Sequence, residues 1–151
     1  MVAVIKENKE TQALNIFLIE DDDGDAKAVI RAFNKAKIAN PIVRAYDGLE
    51  ALEALRGEGG HQKPPKPYII LLDLNMPRMD GIQFLKELRS DPELSNSIVF
   101  ILTTSKSDKD KAEAYDFNVA GYIVKENAGK DFLGLIDLID NYWRLVELPG
   151  Q

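Results

Sequence analysis

The sequence predicts an α/β protein with five parallel strands in the order 2-1-3-4-5 and helices on both faces of the sheet. Short apolar runs alternate with amphipathic stretches five times along the chain, and this alternation is typical of a doubly wound parallel sheet. The runs Tyr68–Leu72 and Ile98–Leu102 are apolar throughout, as expected for strands covered on both faces. Right-handed crossovers leave few topologies for five such units, and 2-1-3-4-5 is a common one.

Each element can be placed on the chain. Strands are predicted where apolar residues rich in β-formers lie between polar or turn residues, at 14–19, 42–46, 68–72, 98–102 and 121–124. Helices are predicted where apolar positions recur every three or four residues or a capping residue begins a polar stretch, at 22–37, 47–55, 81–89, 107–117 and about 128–147, the last being the longest. Glycines and prolines make residues 56–67 a loop. Residues 1–13 are predicted to be a flexible lead-in to a single domain over 14–148.

The composition of the chain excludes several classes of function. The chain has 151 residues, no cysteine and a net charge of -6, which excludes disulfides and thiolate chemistry and argues against binding nucleic acid through the whole surface. No apolar run is long enough to cross a bilayer, and the apolar start of the chain is too short for a signal peptide. A cytoplasmic protein that binds neither membrane nor nucleic acid is expected.

Polar residues follow four of the five predicted strands. They are residues 20–23, 73–75, 103–105 and Lys125. In open α/β sheets, ligands bind beyond the carboxyl ends of the strands, near the switch in strand order. That switch lies between strands 1 and 3, so the sequence predicts a site built around the acidic residues that follow those two strands.

The predicted site has the ligands of a hard divalent cation. Glu20, Asp21 and Asp73 would lie close together, and their mutual repulsion raises the pKa values of the group unless a cation neutralises it. Mg²⁺ takes one or two carboxylates together with water and phosphate oxygens. The backbone carbonyl of Asn75 offers a further ligand.

Other residues of the site suit phosphoryl transfer. Asp73 provides a carboxylate nucleophile, Thr103 a hydroxyl that can bond a phosphoryl oxygen, and Lys125 a fixed positive charge. Taken singly, each has an ordinary structural explanation: Asp73 as a turn cap, Thr103 as a strand-end residue and Lys125 as a surface lysine. Asp22 and Asp23 are expected to cap the first helix or face solvent.

Four motifs in this order resemble the receiver domains of bacterial two-component response regulators, which have the flavodoxin-like fold. They are the sequences at 17–21, 69–77 with 80–81, 101–104 and 121–125, and the resemblance covers about residues 14–147. The Gly/Pro loop, residues 102–105 and the tail with Tyr142-Trp143 and Leu148-Pro149 are more narrowly similar to the single-domain cyanobacterial phytochrome response regulators.

The resemblance implies a role for each residue of the acidic site. Asp73 matches the phosphoacceptor, and Lys125 matches the lysine that contacts the phosphoryl group. Asp21 and Asp73, with the backbone of Asn75, match the Mg²⁺ ligands, and Glu20 matches the acid that holds the ion through water. The chain would then be a phosphoacceptor that catalyses its own phosphorylation and dephosphorylation, not an enzyme acting on a separate substrate.

A second group of residues matches the family's switch. Thr103 matches the hydroxyl that moves onto the phosphate, and Tyr122 matches the aromatic residue that rotates inward with it. Asn75 and Ser105 match positions that tune the lifetime of the phosphoryl group. Most receivers have proline after the lysine, but Glu126 follows Lys125 here, so the path after strand 5 is not carried over from the family.

Partners follow from the same resemblance and from the last helix. A sensor histidine kinase of the phytochrome type is the expected phosphoryl donor. One apolar stripe of the last helix suits the core, while Leu138, Tyr142 and Leu145 form a second stripe beyond what one core face needs. A homodimer through this helix and the neighbouring fourth helix and fifth strand is therefore expected, with output by binding, dimer change or phosphate relay.

Three other functions compete with this hypothesis. A phosphatase of the haloacid dehalogenase type needs a second acid two residues after its nucleophile, where this chain has Asn75. A flavodoxin-like nucleotide binder needs a glycine-rich loop after strand 1, where residues 20–23 are acidic. A receiver-like interaction module that works without phosphorylation remains the main alternative.

Overall fold

The computed structural model describes residues 14–149, and the predicted lead-in over residues 1–13 lies outside them. Five parallel strands form one sheet in the order β2-β1-β3-β4-β5, as predicted. The strands are β1 (Asn15–Ile19), β2 (Val43–Ala45), β3 (Tyr68–Leu72), β4 (Ile98–Thr103) and β5 (Gly121–Val124). The helices between and after them are α1 (Asp23–Ala36), α2 (Gly48–Arg56), α3 (Gly81–Ser90), α4 (Asp108–Asp116) and α5 (Leu133–Leu145).

The first four helices begin at polar residues that the sequence places directly after the strand-end loops. Asp22, Asp47, Asp80 and Ser107 each accept a hydrogen bond from a backbone N–H in the first turn of the helix they cap. These bonds satisfy N–H groups that have no partner within the helix. The caps thus define where each helix leaves the carboxyl edge of the sheet.

The sheet separates two apolar cores. In β1, Phe17 and Ile19 point into the core shared with α2 and α3, whereas Ile16 and Leu18 point into the core shared with α1 and α5. All four side chains are buried, because successive residues of a strand face opposite sides. Coverage of both faces explains why the central strands read as continuous apolar runs.

The start of the last helix differs from the prediction. Two 3₁₀ turns, Lys125–Asn127 and Lys130–Phe132, precede α5, which begins only at Leu133. The backbone has positive φ angles of 85° at Gly129, 52° at Asp131 and 62° at Phe132. Left-handed residues interrupt a right-handed helix, so α5 is 13 residues long and α1, with 14 residues, is longer.

Arg89, near the end of α3, links the segment before β4 to the segment before β5. Its guanidinium donates hydrogen bonds to four carbonyl oxygens, those of Ser95, Ser97, Phe117 and Asn118, at 2.7–3.1 Å. Burial lowers the pKa of Arg89. These bonds hold the chain just before β5, which contains Tyr122 and leads into Lys125.

Candidate functional site at the carboxyl edge of the sheet

The sheet brings the three predicted carboxylates together. Ile19 and Leu72 are register partners at the ends of β1 and β3, and Asp73 N–H donates to Ile19 O at 3.0 Å. Carboxylate oxygens of Glu20, Asp21 and Asp73 all lie within 4.8 Å of one another. Glu20 and Asp73 are buried, whereas Asp21 is exposed, so the cluster opens to solvent on the Asp21 side.

Lys125 enters this cluster from the end of β5. Its Nζ lies 2.7 Å from Glu20 Oε1 and 3.9 Å from Asp73 Oδ2. A third carboxylate, Asp25 Oδ2 in the first turn of α1, also lies 2.7 Å from Nζ. Sequence reasoning missed Asp25. Its place three residues after the Asp22 cap indicates only the start of a helix and gives no sign of a contact with the residue that follows β5.

The charges in the cluster are not independent. Burial, assisted by the nearby charge of Asp73 and opposed by the hydrogen bond from Lys125, raises the pKa of Glu20 from 4.5 to about 7. Burial would lower the pKa of Lys125, but hydrogen bonds to Asp25 and Glu20 outweigh it and hold that pKa above its usual range. Lys125 therefore stays charged, and the ionisation of Glu20 depends on its neighbours Asp73 and Lys125.

Arg44, on the edge strand β2, fixes the backbone at Glu20. Its guanidinium donates two hydrogen bonds to Glu20 O, at 3.0 and 2.8 Å, and pairs with Asp23 at 2.8 Å. The same group lies over the ring of Tyr46, 4.1 Å from its centroid. Arg44 belongs to no recognisable sequence motif, so only its contacts show that it holds the backbone of Glu20 in place.

The loop after Asp73 is held close to the sheet. The Leu74 N–H donates to Asp73 Oδ1 at 2.8 Å, which orients the carboxylate. Further along, Arg78 donates to both oxygens of the buried Asp47 at 2.6 and 3.1 Å. Burial would raise the pKa of Asp47, but the hydrogen bonds from Arg78 and a backbone N–H lower it. Asn75 is exposed on this loop.

Thr103 and Tyr122 meet at Ser105 on the other side of Asp73. Thr103 is buried at the end of β4, and its Oγ1 accepts a long bond of 3.4 Å from Ser105 N–H. The Tyr122 hydroxyl donates to Ser105 O at 3.0 Å, and Ser105 Oγ donates to Asp110 at 2.6 Å. Ser105 thus links both predicted switch residues to the first turn of α4.

The chain that follows β5 contains Glu126 and begins with a 3₁₀ turn. Glu126, which stands where most receivers have proline, forms an ion pair with Lys106 from the loop after β4. Val124 leads directly into the first 3₁₀ turn. With glutamate in place of proline at position 126, the Lys125 ammonium still reaches the acidic cluster.

The donor set fits a hard divalent cation. All three clustered side chains are carboxylates, and oxygen ligands suit Mg²⁺, Mn²⁺ and Ca²⁺ far better than soft metals. Burial is the main cause of the raised pKa of Glu20, and the charge of Asp73 adds to it. A cation beside Asp21 would favour the charged form of the cluster.

The family model for the response regulator receiver domain matches residues 16–137. The chain belongs to this family. The response regulator Rcp1 of Synechocystis sp. is 33% identical over 136 residues, covering 89% of this chain and 92% of that protein. A receiver of this kind is not an enzyme in the ordinary sense.

Solved receivers confirm the flavodoxin-like fold. The phosphorylated cyanobacterial phytochrome response regulator RcpA is 35% identical, covers 92% of this chain and 100% of its own, and has a TM-score of 0.81. The Mn²⁺-bound form of Rcp1 is 33% identical, covers 91% and 99% respectively, and has a TM-score of 0.79. This chain is thus related to the phytochrome response regulators, as the sequence predicted.

Helix α5 presents an apolar face beyond the core. Leu138 and Leu145 expose 42% and 83% of their surface. Tyr142 lies between them but is half-buried, and its ring packs edge-on against Phe100 with centroids 5.0 Å apart. Two of the three predicted interface residues are therefore exposed, and the third contributes to the core.

In the described part of the chain, every helix is too short or too polar to span a bilayer.

Proposed function

We propose that this chain is a single-domain response regulator that accepts a phosphoryl group from a histidine kinase on Asp73 in a Mg²⁺-dependent reaction. One observation carries the proposal. The buried Asp73 carboxylate lies within 4.8 Å of Glu20 and Asp21 carboxylate oxygens, with the Lys125 ammonium 3.9 Å away. A nucleophile, a cation and a metal-binding acid pair are the parts that phosphoryl transfer needs.

The transfer step uses Asp73 as the nucleophile. One Asp73 carboxylate oxygen attacks the phosphorus of a phosphohistidine; a P–O bond forms, the P–N bond breaks, and its electron pair returns to the imidazole. Lys125 faces the oxygens on which charge accumulates and offsets it without changing its own protonation. Water later attacks the acyl phosphate and restores the carboxylate with release of inorganic phosphate.

Asp21 and Asp73, the backbone carbonyl of Asn75 and, through water, Glu20 would hold the cation. When bound, Mg²⁺ supplies positive charge next to the transferring oxygens. The exposed Asp21 leaves room for the waters that Mg²⁺ retains. Glu20 is buried and has a pKa of about 7, so a cation in the cluster would favour its charged form.

The response to phosphorylation runs through Ser105. A phosphoryl oxygen on Asp73 attracts the Thr103 hydroxyl, and Tyr122 turns toward the space that Thr103 leaves. This movement breaks the Tyr122 hydrogen bond to Ser105 O. Helix α4 buries only Ala114 among its own residues, so few apolar contacts resist its displacement. Asn75 and Ser105 match the family positions that tune how long the phosphoryl group survives, and the same role is proposed for them here.

A phytochrome-type histidine kinase is the proposed donor, because RcpA, a phytochrome response regulator, shares 35% of its sequence with this chain. A second copy of the chain is the proposed partner for α5, through Leu138, Leu145 and the exposed edge of Tyr142. Phosphorylation would then act on the shape or strength of that dimer. Sedimentation that shows only monomer, with and without a phosphoryl mimic, argues against the homodimer.

Intact mass after incubation with Mg²⁺ and acetyl phosphate tests the main proposal. The wild type should gain one phosphoryl group with loss of acetate from the donor, and the gain should disappear in Asp73→Asn or with a chelator. Asp137→Asn, which removes an exposed carboxylate on α5, is the matched control and should behave as wild type. If neither acetyl phosphate nor a cognate kinase adds the group, the chain is instead an interaction module that works without phosphorylation.

A further inference from the structure

Lys125 is shared among three carboxylates in an unequal way. An ammonium has three N–H donors, and two of them reach Glu20 Oε1 and Asp25 Oδ2 at 2.7 Å each. Asp73 Oδ2 lies at 3.9 Å, beyond hydrogen-bond distance. In this state Lys125 is therefore bound to Asp25 and Glu20 rather than to the proposed phosphoacceptor.

The three carboxylates also differ in burial. The exposed fraction of the side chain is 2% for Glu20, 8% for Asp73 and 39% for Asp25. A buried carboxylate that loses its partner is left uncompensated in a poorly solvated site, whereas a half-exposed one is rehydrated. Of its two close partners, Lys125 can therefore leave Asp25 at the lower cost.

We propose that Asp25 is a positioning residue that holds Lys125 back from Asp73 and thereby opposes phosphoryl occupancy of Asp73. This inference rests on the proposed function. An acyl phosphate on Asp73 adds negative charge and acceptor oxygens close to Nζ, and Lys125 moves from Asp25 to the phosphoryl oxygens. The Lys125–Asp25 contact then stabilises only the unphosphorylated state, so its removal favours the phosphorylated one.

Asp25 is well placed for this role. Its backbone N–H donates to Asp22 Oδ1 at 2.7 Å, so the first turn of α1 is fixed while the side chain extends across to β5. The contact joins residues 100 positions apart. Asp23, in the same turn, has a different partner: it pairs with Arg44 at 2.8 Å and its side chain is 67% exposed.

The test compares the ratio of phosphorylated to unphosphorylated protein at steady state with acetyl phosphate and Mg²⁺. Asp25→Asn should raise this ratio about two- to fivefold, the range expected for loss of one partly solvated ion pair. Asp25→Glu keeps the carboxylate and should stay near the wild type. Asp23→Asn removes the same charge from the same turn without touching Lys125 and should also stay near the wild type.

The experiment distinguishes a failure of the role proposed for Asp25 from a failure of the proposed function. An unchanged or lower ratio in Asp25→Asn, or an equal rise in Asp23→Asn, overturns the role of Asp25 while leaving Asp73 as the phosphoacceptor. A rise in Asp25→Asn that Asp25→Glu shares shows a packing effect and also overturns it. If the wild type itself gains no phosphoryl group from acetyl phosphate or kinase, the proposed function fails, and this inference fails with it.

Discussion

Gly81 faces the backbone of Asp73 so closely that a side chain cannot be added without movement. A Cβ on Gly81 would lie 2.6 Å from Asp73 O and 2.7 Å from the Cα of Leu74. The Gly81 N–H also donates to Leu74 O at 2.9 Å. The start of α3 is thus packed directly against the backbone that carries the proposed phosphoacceptor.

Gly81→Ala is expected to disturb Asp73 as well as stability. The methyl group meets backbone atoms, which cannot move aside as a flexible side chain can, and overpacking of this kind costs about 1–3 kcal/mol. Urea unfolding measures the loss, and phosphorylation by acetyl phosphate should slow because the Asp73 backbone shifts.

The control is Gly24→Ala in the first turn of α1. There the added Cβ meets the Asp22 side chain at 3.2 Å, which can adjust. Equal loss of stability in both variants would contradict the role assigned to the Asp73 contact.

Arg89→Ala is expected to destabilise the fold by about 2–4 kcal/mol, since it leaves four carbonyl oxygens without their charged donor. Arg56→Ala removes an arginine whose guanidinium pairs with Asp91 at 3.1 Å near the surface. Such pairs contribute about 0–1 kcal/mol. Denaturant unfolding of the two variants should therefore differ clearly, and similar losses would show that the bonds from Arg89 contribute little.

Because of Glu20, we expect the free energy of unfolding to have an unusual pH dependence in buffer without divalent ions. Its pKa is raised from 4.5 to about 7 in the fold, by burial first and by Asp73 second. Between these values the folded state holds more protons than the unfolded state, so this group makes stability fall as pH rises. Below pH 4.5 both states are protonated and the penalty is absent.

Glu20→Gln cannot lose a proton and removes that penalty. The variant should gain stability relative to the wild type as pH rises through 4.5 to 7, by up to about 3 kcal/mol. Urea unfolding at several pH values, with a chelator present, measures the difference. A difference that stays constant across this window would show that Glu20 titrates normally in the fold.

The proposed dimer predicts different effects for neighbouring residues of α5. Leu145→Glu changes a side chain that is 83% exposed, so it should weaken self-association in sedimentation without lowering the free energy of unfolding of the monomer. Tyr142→Ala should lower both, because the ring packs against Phe100. Stability should fall by about 1–3 kcal/mol for this half-buried ring. An unchanged sedimentation profile in Leu145→Glu would place the interface elsewhere.

Much of the site could be predicted because its residues follow strands. The apolar runs that end at Ile19, Leu72, Leu102 and Val124 are easily recognised, and parallel strands bring their carboxyl ends to one edge. The sequence alone therefore predicts that Glu20, Asp73 and Lys125 lie at one edge of the sheet. Their exact pairing is not predicted, since a spacing of 105 residues between Glu20 and Lys125 says nothing about distance.

Two residues of the site carried no signal of their own. Asp25 and Arg44 are charged residues of the kind found at ordinary surface positions. Their roles depend on the groups that they contact, which are the Lys125 ammonium for Asp25 and the Glu20 carbonyl for Arg44. The late start of α5 was missed for a different reason. Asp131 and Phe132 have left-handed backbone angles, which their residue types do not predict, whereas glycine at position 129 adopts such angles readily.

The order of apolar and amphipathic segments was enough by itself to determine the five-stranded sheet, its strand order and the edge that carries the acidic residues, because these depend on periodicity and on the handedness of crossovers. Only the tertiary structure decided which carboxylates bind Lys125, how deeply each is buried and where the last helix begins. Those features depend on distances of a few ångströms between distant parts of the chain, and both desolvation and Coulomb energy change steeply over such distances.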